Sequence, residues 1–307
     1  MDFLLEGDPE AALAALSSQD PKTAEVWEGM AQAHMALLDP EEAQTCLQKA
    51  IQMAPDAGHA KYLLMAQILA GKDSLACLER AWQLLPESVE PRVASSCLTA
   101  MAELYLTDLC NEADAQDVCL GLLERAMQAE EGNPEVHTTL ASYYISALDT
   151  EKASAHAHRA YHLCGGPEFS SLPPDGGVMT ALAKLFIELE NYECALNVLE
   201  CLRTMDDSDL NVYYLFAWAL FTRGSGLDAD AKNRDWDDAR DCLVIVLENP
   251  NLKALLPEDI ISHSHELHGA VDAYLNGIGW KYDDDTPIDA DGGVKDSDSE
   301  HGGDMEE

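Results

Sequence analysis

Positive charge is scarce in this chain. Its 307 residues include 18 Lys and Arg against 57 Asp and Glu, a formal net charge of −39 at pH 7. So negative a surface repels nucleic-acid phosphate and anionic lipid and attracts cationic segments of other proteins. The sequence therefore argues against direct nucleic-acid binding and against a membrane surface. Long apolar runs are missing as well. A spanning helix needs about 18 apolar residues or more, and the richest stretch, YYLFAWALF at 213–221, ends at Thr222-Arg223-Gly224. The nine cysteines, an odd number, contain no CxxC pair. With nothing in MDFLLEGDPE that reads as a signal peptide, free thiols among apolar neighbours are expected, in a reducing compartment. Cytoplasm and nucleus are the expected locations.

Catalytic patterns are absent too. The sequence holds no GxSxG, no HExxH and no phosphate loop, and the pairs Gly165-Gly166 and Gly176-Gly177 precede no P-loop lysine. Two histidine clusters stand out, His156, His158 and His162, then His263, His265 and His268. An i,i+3 or i,i+4 pair supplies only two of the four ligands a zinc site usually takes. Polar helix faces and an inter-repeat hydrogen bond are the expected roles. No catalytic residue, metal or cofactor is expected, and the chain does not read as an enzyme.

What the chain does have is a period. Counting from Ala24, Trp27 falls at position 4, Met30 and Ala31 at 7 and 8, and His34 at 11. Ala43 follows at 20, Leu47 at 24, Ala50 at 27 and Pro55 at 32. Small residues at 8, 20 and 27 let two antiparallel helices approach, larger ones fill the space between, and proline stops the second helix. The pattern returns from Pro134, with Leu140, Ala141, Tyr144, Ala153 and Ala160, and from Gly176, with Leu182, Ala183, Phe186, Tyr192, Ala195 and Leu199. From Leu210 it gives Tyr213, Phe216, Ala217 and Leu220, then Trp236, Ala239 and Leu243 about ten residues late, after RGSGLDADAK. Residues 59–86 form a short unit and 91–130 one with a long first helix. The chain resembles the tetratricopeptide-repeat family at these positions.

The resemblance implies an all-α superhelical solenoid. Residues 1–20 are expected to be half a repeat, 21–252 about six repeats, and 253–280 a C-terminal capping helix. Residues 281–307 carry eleven acids and two lysines with almost nothing apolar, so a disordered acidic tail is expected.

In this family positions 2, 5, 9 and 12 of each repeat point into the concave groove. They fall on Glu25, Glu28, Gln32 and Met35; on Glu135, Thr138, Ser142 and Ile145; on Gly177, Thr180, Lys184 and Ile187; and on Asn211, Tyr214, Trp218 and Phe221. The basic clamp of tetratricopeptide co-chaperones is missing, since position 5 reads Glu28, Thr138, Thr180 and Tyr214. Such a groove prefers cations. Tyr214, Trp218 and Phe221, spaced by 4 and 3, share a helix face and are expected to face a partner, unless the ten-residue insertion folds back over them. The expected partner-binding set is Glu25, Glu28, Gln32, Glu135, Ser142, Asn211, Tyr214, Trp218 and Phe221.

Repeat number, acidity, acidic tail and long final helix together resemble the fungal dedicated assembly chaperones of large-subunit ribosomal protein four. The resemblance implies a basic client, a ribosomal protein whose Arg/Lys-rich extended loop is held in the groove, shielded from RNA, escorted into the nucleus with an import receptor reached through the client, and released on pre-ribosomes. Two other readings stay open on the residues alone: an acidic scaffold subunit of a larger complex, and a chaperone of histones or other basic cargo.

Overall fold

The structure, a computed structural model, describes residues 8–20, 22–169 and 175–280. The expected acidic tail at 281–307 and the first seven residues of the half repeat lie outside them. Every helix and every turn described belongs to an all-α fold, with no strand among the described residues. The chain divides into two compact units after Leu215.

In the first unit α1 (Pro9–Ser17) precedes five helix pairs. These are α2 (Ala24–Ala36) with α3 (Pro40–Met53), α4 (Ala60–Ile68) with α5 (Gly71–Leu84), α6 (Pro91–Leu106) with α7 (Ala115–Ala129), α8 (Pro134–Ser146) with α9 (Thr150–Leu163), and α10 (Gly176–Glu188) with α11 (Tyr192–Met205). Each helix packs on its pair-mate, and first helices also touch first helices, α2 on α4, α6 on α8 and α8 on α10. The signature alanines are the reason the helices come so close. Ala31, Ala43, Ala50, Ala141, Ala153, Ala160, Ala183 and Ala195 are all fully buried, with Leu47, Leu182, Phe186 and Leu199 filling the space beside them. Enlarging such an alanine overpacks the joint, at a cost of about 1–3 kcal/mol.

The joint within a pair is built the same way three times. Leu38, Leu148 and Glu190 sit at the same repeat position with φ of 59°, 59° and 57°. The next residue's amide then reaches back to close the first helix: Asp39 N to His34 O at 2.9 Å, Asp149 N to Tyr144 O at 2.9 Å, and Asn191 N to Phe186 O at 2.8 Å. That same residue caps the second helix. Asp39 Oδ1 accepts from Glu42 N (3.3 Å), Asp149 Oδ1 from Lys152 N (3.2 Å), and Asn191 Oδ1 from Cys194 N (3.3 Å). One short residue thus satisfies orphan groups of both helices.

The histidines of the fourth repeat are absorbed by this framework. His158 Nδ1 lies 2.8 Å from Ser154 O, and its Nε2 accepts from Asn191 Nδ2 at 3.1 Å, a hydrogen bond between repeats. His156 Nδ1 lies 3.0 Å from His137 Nδ1. Among the described residues no group of three His, Cys, Asp or Glu could hold a metal ion, and all nine cysteines are free. No described helix is long and apolar enough to cross a membrane.

α12 (Leu210–Ser225) begins in the first unit and continues into the second, which adds α13 (Ala229–Leu247), α14 (Leu252–Leu255) and α15 (Glu258–Ile278). The RGSGLDADAK insertion, expected to delay the second helix, is instead largely helical: α12 runs through Ser225 and α13 starts at Ala229. Gly224 permits the close approach of α13, because a Cβ there would fall 2.7 Å from the Trp236 ring. Arg223 pairs with Asp235 through two bonds of 2.7 Å. α15 packs on α13 and buries Val271 and Leu275 completely.

Candidate functional site

The first helices of repeats two to five, with parts of α5, α11 and the start of α12, line a trough within the first unit. Its middle is a cavity of about 440 Å³ among α6, α8 and the start of α10, carrying Glu103, Glu135 and Asp175 against Arg92. On one side it meets a cavity of about 450 Å³ between α4, α5 and α6, with which it shares Arg92, Ser96 and Glu135. On the other it meets one of about 530 Å³, sharing Gly177 and Ala181 and adding Lys184, Asp206 and Asp209. Three cavities that adjoin in series through shared lining residues suit an elongated ligand better than a compact one.

The carboxylates of the middle cavity are held in place. Asn133, wholly buried, caps α8 through Oδ1 to Glu135 N at 3.0 Å. Its Nδ2 donates to Ser95 Oγ (3.0 Å) and Ser96 Oγ (3.4 Å), and Ser96 Oγ donates to the Glu135 carboxylate. Thr139 Oγ1 donates to Glu103 Oε1 at 2.9 Å. Glu103 opens to solvent on the trough side but is crowded by protein on the others. That crowding raises its carboxyl above the ordinary carboxylate range; the Thr139 bond pulls it down and the charge of Glu135 pushes it up. Asp175 caps α10, its Oδ1 accepting from Gly177 N (2.8 Å) and Val178 N (3.1 Å). Arg92 lies 4.0 Å from Glu130, at the far edge of ion-pair range. With three acids to one base, the middle cavity is anionic.

Of the residues that the repeat register assigned to a partner, Glu135 lines this trough. Glu25 and Gln32 are exposed on α2, outside the three cavities. Glu28 faces inward instead: its Oε1 lies 3.7 Å from Nζ of Lys61, a lysine with no exposed surface, so its charge is committed within the fold. Ser142 is half-buried and donates to Thr138 O at 3.3 Å. Asn211 is half-buried, its amide bound to Asp209 Oδ1 at 2.8 Å.

The aromatic stripe departs most from expectation. Tyr214 is only 7% exposed, and Ile187, also expected on the inner wall, 4%. In the second unit Phe221 stacks on Trp236 with ring centroids 4.8 Å apart, and Trp236 Nε1 donates to Phe221 O at 3.1 Å. Trp218 is half-buried and meets His263 of α15 edge-on at 6.0 Å. For Trp218 and Phe221 the cause is α13 and α15 of the same unit, which bring Trp236 and His263 against them. Helical spacing shows which residues share a face, not which later helix covers it.

Conversely, Arg92, Ser96 and Glu103 escaped the register because the third repeat's first helix is long and carries no clear alignment. Their separations of 4 and 7 residues place them on one face, and that was the available signal.

The comparisons agree with this architecture. A tetratricopeptide-repeat family model matches residues 3–68. A protein of Schizosaccharomyces pombe named "probable assembly chaperone of rpl4" is 27% identical over 236 residues, 71% of this chain and 70% of its own. One of Emericella nidulans with the same name is 26% identical over 302 residues, 91% of this chain and 79% of its own. The solved structure of an assembly chaperone of RpL4 superposes with a TM-score of 0.62 at 27% identity, covering 73% of this chain and 94% of that one. Cut9–Hcn1 of the APC/C gives a TM-score of 0.60 at 13% identity, covering 86% of this chain and 46% of that one, a likeness of fold alone. The relatives alike in sequence are named for chaperoning, not for a reaction. The fold is the tetratricopeptide-repeat array, and along most of its length the chain is similar to assembly chaperones of rpl4.

Proposed function

We propose that this protein is a dedicated chaperone of large-subunit ribosomal protein four, holding a basic, extended segment of the newly made protein in the trough of repeats two to five. The observation that carries the reading is the run of three adjoining cavities whose carboxylates, Glu103, Glu135, Asp175, Asp206 and Asp209, outnumber Arg92 and Lys184. The names of the relatives supply the client. The chemistry supplies the reason. An unassembled ribosomal protein exposes arginines that bind RNA indiscriminately, and charge-assisted bonds to fixed carboxylates, about 1.5–3 kcal/mol each, compete with that binding. Ribosomal RNA, a denser polyanion, takes the segment back at the assembly site. Escort of the client from cytoplasm to nucleus, with the import receptor bound through the client, belongs to the same reading.

Coexpression tests it. Ribosomal protein four made alone should aggregate or co-purify with RNA. Made together with this protein it should elute as an RNA-free complex in equal amounts. A client that stays insoluble, or a complex that never forms, contradicts the proposal.

A further inference from the structure

The first cavity differs in kind from its neighbour. Leu63, Leu78, Val93, Cys97 and Leu104 give it apolar walls, yet it adjoins the carboxylate cavity, with Arg92, Ser96 and Glu135 lining both. Glu135 stands on the boundary, and the Asn133–Ser96 hydrogen-bond chain fixes it there. Glu103 faces the same carboxylate cavity from α6. Resting on the chaperone reading above, we infer that these two chambers form one bipartite subsite, which takes a large apolar side chain in the first and a neighbouring arginine in the second.

Arginine suits the second chamber better than lysine. Its planar guanidinium presents five donors and can engage two carboxylates at once, whereas an ammonium is a compact point charge that is costlier to dehydrate. The apolar chamber supplies what charge cannot, since distant charges are screened beyond about 8 Å at physiological salt and attract any basic protein alike. A segment with an apolar residue beside an arginine fills both chambers. One with evenly dispersed arginines, such as a histone tail, leaves the first empty. The subsite therefore selects among basic clients as well as attracting them.

The test uses fluorescein-labelled peptides of Gly/Ser background carrying repeated Leu-Arg pairs, with Ser-Arg and Leu-Gln versions as controls, titrated by anisotropy against the full-length protein. Leu-Arg should bind about tenfold more tightly than either control, the scale of one buried apolar side chain or one charge-assisted bond. Ala100→Trp fills the apolar chamber and should erase the advantage of Leu-Arg over Ser-Arg while leaving that over Leu-Gln. Glu103→Gln with Glu135→Gln should do the reverse. If Ala100→Trp lowers the melting temperature, Gln67→Trp at the exposed rim serves in its place. Equal affinity of Leu-Arg and Ser-Arg peptides, or a leucine advantage that survives both tryptophan variants, overturns the inference. Ribosomal protein four titrated in parallel separates the two claims. Failure of the whole protein to bind, with peptide discrimination intact, strikes the chaperone reading alone.

Discussion

Lys61 and Glu28 form an ion pair at the base of the second repeat, with Nζ 3.7 Å from Oε1 and the lysine fully enclosed. The ammonium also donates to the carbonyls of Ala57 and Gly58, the latter at 2.9 Å. Glu28 is on α2 and Lys61 on α4, so the pair fastens the first helices of consecutive repeats. Removing one partner strands a buried charge, which costs more than the pair itself contributes. Glu28→Ala is expected to destabilise the protein by about 2–3 kcal/mol, and Glu28→Ala with Lys61→Met to recover most of it. Thermal unfolding of the three proteins checks this. A single variant that melts like the parent would show the pair to be incidental.

The turn leucines are a second point of leverage. Leu38 and Leu148 adopt left-handed backbone with their side chains 89% and 88% exposed, so they bear backbone strain without burying anything. Asparagine tolerates this conformation far better. Leu38→Asn and Leu148→Asn should each raise stability by about 0.5–1 kcal/mol, roughly 1–2 °C in melting temperature. Scanning calorimetry of both variants decides the matter, and a lower melting temperature in either counts against the strain.

The histidine pair of the fourth repeat should make stability depend on pH. His137 Nε2 lies 3.1 Å from the carbonyl of Glu131, which only accepts, so Nε2 carries a proton; in the neutral ring Nδ1 then accepts from His156 Nδ1. Burial lowers both pKa values below the ordinary 6.5, and the neighbouring His137 lowers His156 further. The unfolded chain binds these protons at higher pH than the folded one, so the contribution is full above about 6.5 and is lost as pH falls from there toward the folded values. Melting temperature measured from pH 7.5 down to 5.5 should drop more steeply in the parent than in the variant His137→Gln with His156→Gln. Parallel profiles would contradict the lowering of the two pKa values by burial.

Reading the sequence recovered the period better than it recovered the site. Ala31, Ala141 and Ala183 are legible because a close helix crossing admits only small residues, a constraint local enough to repeat in the letters. Glu28 holds position 5 of its repeat, but its ion-pair partner Lys61 lies in a shortened repeat whose register the sequence does not show. The stacking of Trp236 on Phe221 is not legible in the spacing of α12, because it comes from a second helix set off by an insertion that is itself largely helical. The spacing of Arg92, Ser96 and Glu103 shows a shared helix face, but not that Glu103 meets Thr139 and Glu135, 36 and 32 residues away. Packing within a repeat leaves a pattern in one sequence; chemistry assembled across repeats does not.

The central claim is that fixed carboxylates in the trough grip a cationic segment, and calorimetric titration of purified ribosomal protein four tests it most directly. Affinity for the parent protein should fall steeply between 0.1 and 0.5 M salt, as the Debye length shrinks from about 10 Å toward about 3 Å at 1 M. Glu103→Lys with Glu135→Lys should weaken binding by at least about tenfold, the equivalent of about 1.4 kcal/mol, with the melting temperature preserved. Binding that ignores both salt and charge reversal would place the client elsewhere on the molecule.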